Sequence, residues 1–307
     1  TDTLYGTTDT TVTAPINSYP GFYVSDEGLT VHQGVIAGDG SLTLIRYYRR
    51  YYYNITFDAN GGSGGAGPTS IIYGGTLTAP SPGTRTGYTF AGWSPSVPST
   101  VGVGDATYTA QWTLNSYTIT WAANGGSGGG TNTCNHFATP TPISAGTRTG
   151  YTFSSWSPAI VPATGPATYT AQWSTNTYYI VFDVNGGSGS MSNQGIAYGS
   201  SAALATNTFT RTGYSFTGWN TAANGSGTAY GPGETYGPMG AANVTLYAQW
   251  SINQYSITFS GNGGTTPATI TQNYNTSVTV PSSTRMGYSF SGWSPACPTT
   301  MPATNTS

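Results

Sequence analysis

The sequence predicts a mainly β protein, a tandem array of small modules with little or no helix, and three observations carry that prediction. A Thr-Arg-x-Gly-Tyr-x-Phe segment leading into a tryptophan recurs four times. Its arginines, Arg85, Arg148, Arg211 and Arg285, stand 63, 63 and 74 residues apart, and self-similarity at such a period marks repeated folding units. Short runs between the landmarks alternate aromatic or β-branched residues with polar ones, the period of a strand buried on one face. Composition agrees: 44 Gly and 19 Pro supply turns while 24 Tyr and 8 Trp supply strand formers, and good helix formers never gather at a 3.6-residue period.

Each unit opens on a strand. In the first repeat Tyr53, Ile55 and Phe57 share one face and Asn54, Thr56 and Asp58 the other, and comparable runs start at Tyr117, Tyr178 and Tyr255. An Asn-Gly-Gly turn follows at Asn60, Asn124, Asn185 and Asn262, the dipeptide that suits a tight hairpin. After a variable middle comes the Gly-Tyr-x-Phe strand, in which Tyr88 and Phe90 share a parity that Trp93 breaks. A bulge at Gly92 is therefore expected to return the indole to the core; Gly218 and Gly292 fit it and Ser155 departs from it. The closing strand reads Tyr-Thr-Ala-Gln-Trp to Trp112 and Trp173, and Leu-Tyr-Ala-Gln-Trp to Trp250, with Tyr108, Ala110 and Trp112 inward.

A unit of this size is marginal on hydrophobic burial. Trp93, Trp156, Trp219 and Trp293, with Trp112, Trp173 and Trp250, are accordingly read as core, each able to bury roughly 150 to 250 Å². A row of exposed indoles would instead make a sugar-stacking platform. The four arginines are read as structural, stacking on the neighbouring indole or satisfying turn carbonyls, because Thr and Gly around them are turn chemistry; a ladder of ligand contacts is the alternative.

Charge excludes several functions. Only 5% of residues are charged, the seven cations are all Arg, and the net charge is −2, which leaves no field to gather nucleic acid or an anionic membrane. No lysine means no Lys-Asn isopeptide staple. No apolar run reaches about 18 residues, so no membrane span is expected. The sequence begins at Thr1 without a leader, as a processed product or a window onto a longer polypeptide would.

No catalytic, cofactor or metal site is expected. His32 and His136 occupy unrelated places without the partners of a nucleophilic triad. Cys134 and His136 make half of a zinc motif with no second half, and Asp26 with Glu27 is the sole adjacent acid pair. Asp58 and Asp183 hint at calcium loops, but their equivalents are Ala122 and Ser260. Cys134 and Cys297 are non-equivalent and imply no disulfide framework, and scarce cysteine suits an exported bacterial protein. The Arg46 to Tyr53 run mixes cations and aromatics as single-strand nucleic-acid surfaces do; a cross-strand Tyr/Arg ladder accounts for it better.

The opening strand, the Asn-Gly-Gly turn, Thr-Arg-x-Gly-Tyr-x-Phe-x-Gly-Trp and Tyr-Thr-Ala-Gln-Trp together resemble the Listeria-Bacteroides repeat, which includes the internalin B-repeats. Residues 1–53, through Val12-Thr-Ala-Pro15, Tyr19-Pro-Gly-Phe22 and the segment from Gly38 to Tyr48, resemble a mucin-binding-protein-like module. The resemblance implies β-grasp-like modules whose crossover helix is reduced or missing, strung outside a bacterial cell. The expected division is 1–53 as a partial first module, then repeats at 54–114, 115–175, 176–252 with a longer insert, and 253–307. Trp293 is followed by no Tyr-Thr-Ala-Gln-Trp, so the last repeat is expected to lack its closing strand. Further repeats of the same polypeptide, or neighbouring copies, are the expected partners. The function expected is a non-enzymatic structural protein of the cell surface, an extended stalk or fibre, extracellular. Its alternative is an adhesin binding glycan or a host protein through the variable inserts, chiefly Asn220 to Asn243.

Overall fold

The structure, a computed structural model, describes residues 2–26 and 31–307. Thr1 lies outside them, as does Glu27 of the adjacent acid pair. Among the described residues there is no helix, and every regular element is a strand. The chain divides into two compact units whose boundary falls inside the second repeat. Thr1–Trp121, Gly130–Ile143 and Pro158–Tyr169 form one unit; Ala122–Gly129, Ser144–Ser157 and Thr170–Ser307 form the other.

The first repeat shows the plan. Its opening strand, Tyr52–Asp58, pairs antiparallel with a second, Ala66–Ile72, and parallel with the closing strand, Ala106–Leu114, whose far edge takes the third strand, Tyr88–Ser94. The sheet order is second, opening, closing, third. A parallel central pair requires a crossover, and this is the β-grasp arrangement without its helix. The predicted parity holds: Ile55, Phe57, Tyr108 and Ala110 are buried, and Tyr53 and Trp112 half-buried.

Two loops stand where a helix would cover the sheet. Leu77 from one and Val101 from the other complete the core with Ile55, Phe57 and Tyr108. They are tied by backbone bonds from Gly74 N to Val101 O (2.9 Å), from Val101 N to Gly75 O (2.9 Å) and from Leu77 N to Ser99 O (2.9 Å). Backbone groups under a core must find partners, so this loop pair replaces a helix without orphaning its amides. Ala163, Met239 and Met301 take the place of Val101 in later repeats, each buried and each bonded the same way: Phe137 N to Ala163 O (2.7 Å), Gly199 N to Met239 O (2.9 Å), Asn275 N to Met301 O (2.9 Å). Their side chains differ so much that no repeat motif revealed this plug.

In the second repeat the opening strand Ser116–Ala122 pairs with Gly130–Asn135, and Tyr151–Ser157 pairs with Ala167–Thr175. Trp121 replaces Phe57, is buried, and stacks on Tyr169 at 4.8 Å. The third repeat buries the largest core, with Ile180, Phe182, Ile196, Leu204, Phe209, Trp219, Met239 and Leu246. Parts of its insert are paired into sheets: Tyr230 and Ala229 pair with Trp219 and Asn220, and Thr235–Tyr236 pairs with Ala202–Ala203.

In the fourth repeat Gln254–Ile257 pairs with Ile270–Asn273, and Ile257 bridges Thr306 in parallel, where a closing strand begins elsewhere. Residues 288–294 form no strand here, although Trp293 still packs on Phe259 at 4.8 Å. Before the repeats, Thr11–Thr13 pairs with Gln33–Val35, and Phe22–Ser25 with Tyr47–Arg50. The expected Tyr/Arg ladder is there, with Tyr23 opposite Arg49 and Tyr23 5.0 Å from Tyr51.

The bulge also appears as expected, between Phe90 and Gly92 and between Phe216 and Gly218. Ser155 does not abolish it, since the same shift falls between Phe153 and Ser155. Gly92 and Gly218 take positive φ there, and Ser155 is absent from the positive-φ residues. The two-against-one register of the strands imposes the bulge, and glycine only relaxes its backbone.

Candidate functional site

Two constellations recur, a clasped turn within each repeat and a joint between modules. The turn is built by the Asn-Gly pair. Asn60 and Gly61 hold φ of 48° and 85°, and Gly62 N donates to Ala59 O at 3.0 Å. Two successive positive φ angles suit Asn-Gly and few other pairs. Asn124, Asn185 and Asn262 repeat the geometry.

Three side chains clasp this turn. Asn60 Nδ2 donates to Ala110 O on the closing strand (3.0 Å), Trp112 Nε1 to Ala59 O (2.9 Å), and Arg85 Nη1 to Asn60 O (3.1 Å). Asn124, Trp173 and Arg148 do the same in the second repeat. The third keeps the Asn185 and Trp250 bonds, and the fourth the bond from Arg285 to Asn262 O at 3.1 Å. Arg85, Arg148 and Arg285 satisfy turn carbonyls as expected. The expected ring partner is corrected, for each guanidinium lies 4.0 to 4.4 Å over a tyrosine, Tyr88, Tyr151, Tyr214 or Tyr288, three residues on. The bulge returns the indole to the core face, where Trp93 packs on Phe57 and Phe90, and the tyrosine ring is left beside the cation.

The tryptophans divide by depth. Trp219 is buried; Trp93, Trp156 and Trp293 are half-buried, each against a phenylalanine such as Phe90, Phe153 or Phe290. Trp112, Trp173 and Trp250 are half-buried over their turns. A closing-strand tryptophan spends its N–H on the turn carbonyl, which is a structural use of its polar end.

The joint was not legible in the motifs. At its centre is the glycine after Thr-Arg-x, on which a ring from the following repeat lies. Tyr198 lies on Gly150, Tyr274 on Gly213 and His136 on Gly87, and Tyr73 lies likewise on Gly21 of the first module. Backbone bonds fix the ring: Asn176 N to Gly150 O (2.9 Å) and Tyr198 N to Asn176 O (2.9 Å), repeated through Asn115, Asn253 and Tyr51. Thr152 Oγ1 donates to Asn176 Oδ1 at 2.6 Å, and Thr89 does so to Asn115. The residue after each ring, Gly74, Phe137, Gly199 or Asn275, has positive φ and donates to the buried plug. One peptide thus links each joint to the core of its own repeat.

The other candidate residues stay apart. Cys134 is buried and its Sγ lies 3.3 Å from Ala138 O, while His136 sits in the joint and His32 is exposed. Among the described residues no three His, Cys, Asp or Glu gather as metal ligands would. Asp58 Oδ1 accepts from Asn60 N (2.8 Å) and Asp183 from Asn185 N (2.8 Å), so both shape the turn. Asp105 Oδ1 accepts from Asn54 N at 2.7 Å, a role that Asn243 and Asn305 fill in later repeats. Two ionisations are displaced. The Ser41 hydroxyl and amide hold the Asp39 carboxyl below its usual value, and burial raises the Tyr236 phenol, helped by Tyr230.

The Listeria-Bacteroides repeat domain matches residues 53–114, 117–176, 178–249 and 255–305. The chain belongs to the Listeria-Bacteroides repeat family. The match does not reach residues 1–52. Relatives include a protein of Evansella cellulosilytica named as a Gly-rich membrane protein, 38% identical over 48% of this chain and 19% of that protein. A second protein of that bacterium, named as a membrane protein, is 31% identical over 71% of this chain and 36% of its own length. Internalin H of Listeria monocytogenes is 36% identical over 43% of this chain and 22% of its own. The chain therefore spans well under half the length of each relative. Among the described residues no helix is long and apolar enough to cross a membrane.

Proposed function

We propose that this chain is a non-enzymatic structural segment of a bacterial cell-surface protein, an extended stalk in which repeats hold their neighbours in fixed register. The observation that carries this reading is the joint: the same ring-on-glycine contact and paired backbone bonds occur at four successive module boundaries. Arg85, Arg148 and Arg285, Asn60, Asn124 and Asn185, and Trp112, Trp173 and Trp250 bond within their own modules, as a spacer requires and a ligand ladder would not. In this reading residues 1–53 are a related module, because Gly21 and Tyr51 build the same joint. Its neighbours are further repeats of the same polypeptide or other copies. Names among the relatives, internalin and membrane protein, support an extracellular place at the surface.

Solution scattering tests the stalk. Five modules of about 27 Å give a rod near 130 Å with a radius of gyration of roughly 37 Å, against about 19 Å for a compact chain of this length. A value near the compact figure overturns the reading.

The adhesin reading keeps one observation, the exposed tip of the third-repeat insert at residues 223–229. Removing those residues would abolish retention on immobilised glycans or host matrix if that tip binds; retention unchanged, or absent in both forms, returns the insert to structure.

A further inference from the structure

The first three repeats place a closing strand against their third strand, and the fourth leaves that position open beyond Thr306. We propose that the gap in the fourth repeat is a strand-acceptor site, and that its partner is an extended segment of another polypeptide with the closing-strand chemistry Tyr-x-Ala-Gln-Trp. The proposal rests on the stalk reading and deepens it, since it names the contact through which the array takes a neighbour.

Backbone pairing along this gap starts and then stops. Thr306 N donates to Ser256 O (3.0 Å) and Thr258 N to Thr306 O (2.9 Å), while Asn305 Oδ1 accepts from Ser256 N (2.9 Å) as Asp105 does from Asn54 in the first repeat. Next in that register come Thr258 O and Ser260 N, which have no partner among the described residues. The opening strand ends at Ile257, whereas its counterparts run on to Asp58, Ala122 and Asp183. Across the gap residues 288–294 form no strand. Two unpaired stretches of backbone thus flank one space, and unpaired strand edges are where an added strand docks.

The side chains along the gap are those that a closing strand covers elsewhere. Phe57 stacks on Tyr108 at 5.2 Å and Trp121 on Tyr169 at 4.8 Å, both buried, while Phe259 in the same position is half-buried. Phe90, Phe153 and Phe216 stand 5.6 to 5.8 Å from Trp112, Trp173 and Trp250; their counterpart Phe290 is 42% exposed and lines a cleft with Asn262, Arg285 and Trp293. Asn262 holds the same positive φ as Asn60, Asn124 and Asn185, and its amide lacks the closing-strand carbonyl to which theirs donate.

Each part of Tyr-x-Ala-Gln-Trp therefore has a place. The Tyr ring would meet Phe259 and the Ala carbonyl would accept from Asn262. The indole would lie beside Phe290 with its N–H on Gly261 O, the counterpart of Ala59 O, Ala123 O and Val184 O. Gly287 beyond it has nothing within 4 Å of a Cβ, where Gly87, Gly150 and Gly213 each carry a ring. A second copy of this chain is a poor donor. The closing strands of its first and third repeats are paired on both sides, and that of the second with Tyr151–Ser157, so lending one would open a folded repeat.

The test adds a capped peptide of residues 108–115, Tyr-Thr-Ala-Gln-Trp-Thr-Leu-Asn, to the intact chain and follows calorimetry and amide exchange. One peptide should bind per chain. At a free concentration about tenfold above its dissociation constant, protection at Ser260 and within 288–294 should rise about tenfold, while amides of the first three repeats hold steady. A peptide with Tyr, Ala and Trp moved to the alternate positions should not bind, because a one-residue shift turns all three outward. Asn262→Gly, which suits the turn's positive φ, should weaken binding about fivefold, as should Trp112→Phe within the peptide. No binding, equal binding of the shifted peptide, or protection spread over the other repeats overturns the proposal. A concentration-dependent dimer of the chain alone also overturns it, by making a second copy the occupant. Scattering keeps the two readings apart: an extended chain that ignores the peptide loses only the acceptor site, and a compact chain that binds it loses only the stalk.

Discussion

Replacing Gly150 by alanine isolates what holds one repeat to the next. The new methyl would enter the Tyr198 ring, and the backbone there is at φ 79°. Two costs combine: an L residue held in the left-handed region costs about 1–2 kcal/mol, and displacing a packed ring costs about 1–3 kcal/mol. The sum, about 2–5 kcal/mol, corresponds to a loss of roughly one and a half to three and a half powers of ten in the closing equilibrium of the joint. Two other glycines separate the terms. Gly287 has φ 76° but nothing within 4 Å of a Cβ, so Gly287→Ala carries strain alone; Gly165 has neither positive φ nor a near neighbour, so Gly165→Ala is the blank. Amide exchange at Asn176 and Tyr198 in Gly150→Ala, set beside the local effect of each control, gives the two contributions. If Gly150→Ala costs no more than Gly287→Ala, the ring contact contributes nothing and the joint is held by its backbone bonds alone.

The remaining expectations concern the clasp and the core. Trp112→Phe should lose about 1 kcal/mol with the N–H bond to Ala59 O, measured by denaturant midpoint, and should loosen the Asn60 turn before the sheet. Met239→Ala, in a fully buried plug, should cost about 2–5 kcal/mol whereas Met239→Leu should cost less than about 1.5; equal effects would mean the plug is not packed. Arg85→Ala should cost about 1 kcal/mol through its exposed stack on Tyr88 and its turn bond, with calorimetry as the readout. Raising pH should weaken the third repeat through Tyr236, because burial favours its neutral form. That contribution is intact below the ordinary tyrosine value of about 10 and lost as pH rises through the higher folded value; Tyr236→Phe should flatten the alkaline limb, and an unchanged limb would remove Tyr236 as its cause.

Much of one repeat was legible because its determinants are local. Parity placed Ile55, Phe57, Tyr108 and Ala110 inward, Asn-Gly marked each hairpin turn, and the parity break at Trp93 announced a bulge; in each case the rule acts over a few neighbouring residues. Composition also fixed the absence of helix, since no segment offers an apolar stripe at helical spacing. The tertiary structure decided what depends on residues far apart in the chain. Arg85 met Tyr88 and not an indole because the bulge, a property of two paired strands, sends Trp93 into the core against Phe57. Val101, Ala163, Met239 and Met301 are one structural position, hidden from the sequence because a buried plug is selected by the space left above its sheet and not by a shared side chain. Gly87, Gly150 and Gly213 were read as turn residues, and only the packed neighbour showed that each is a seat for a ring arriving from the next repeat.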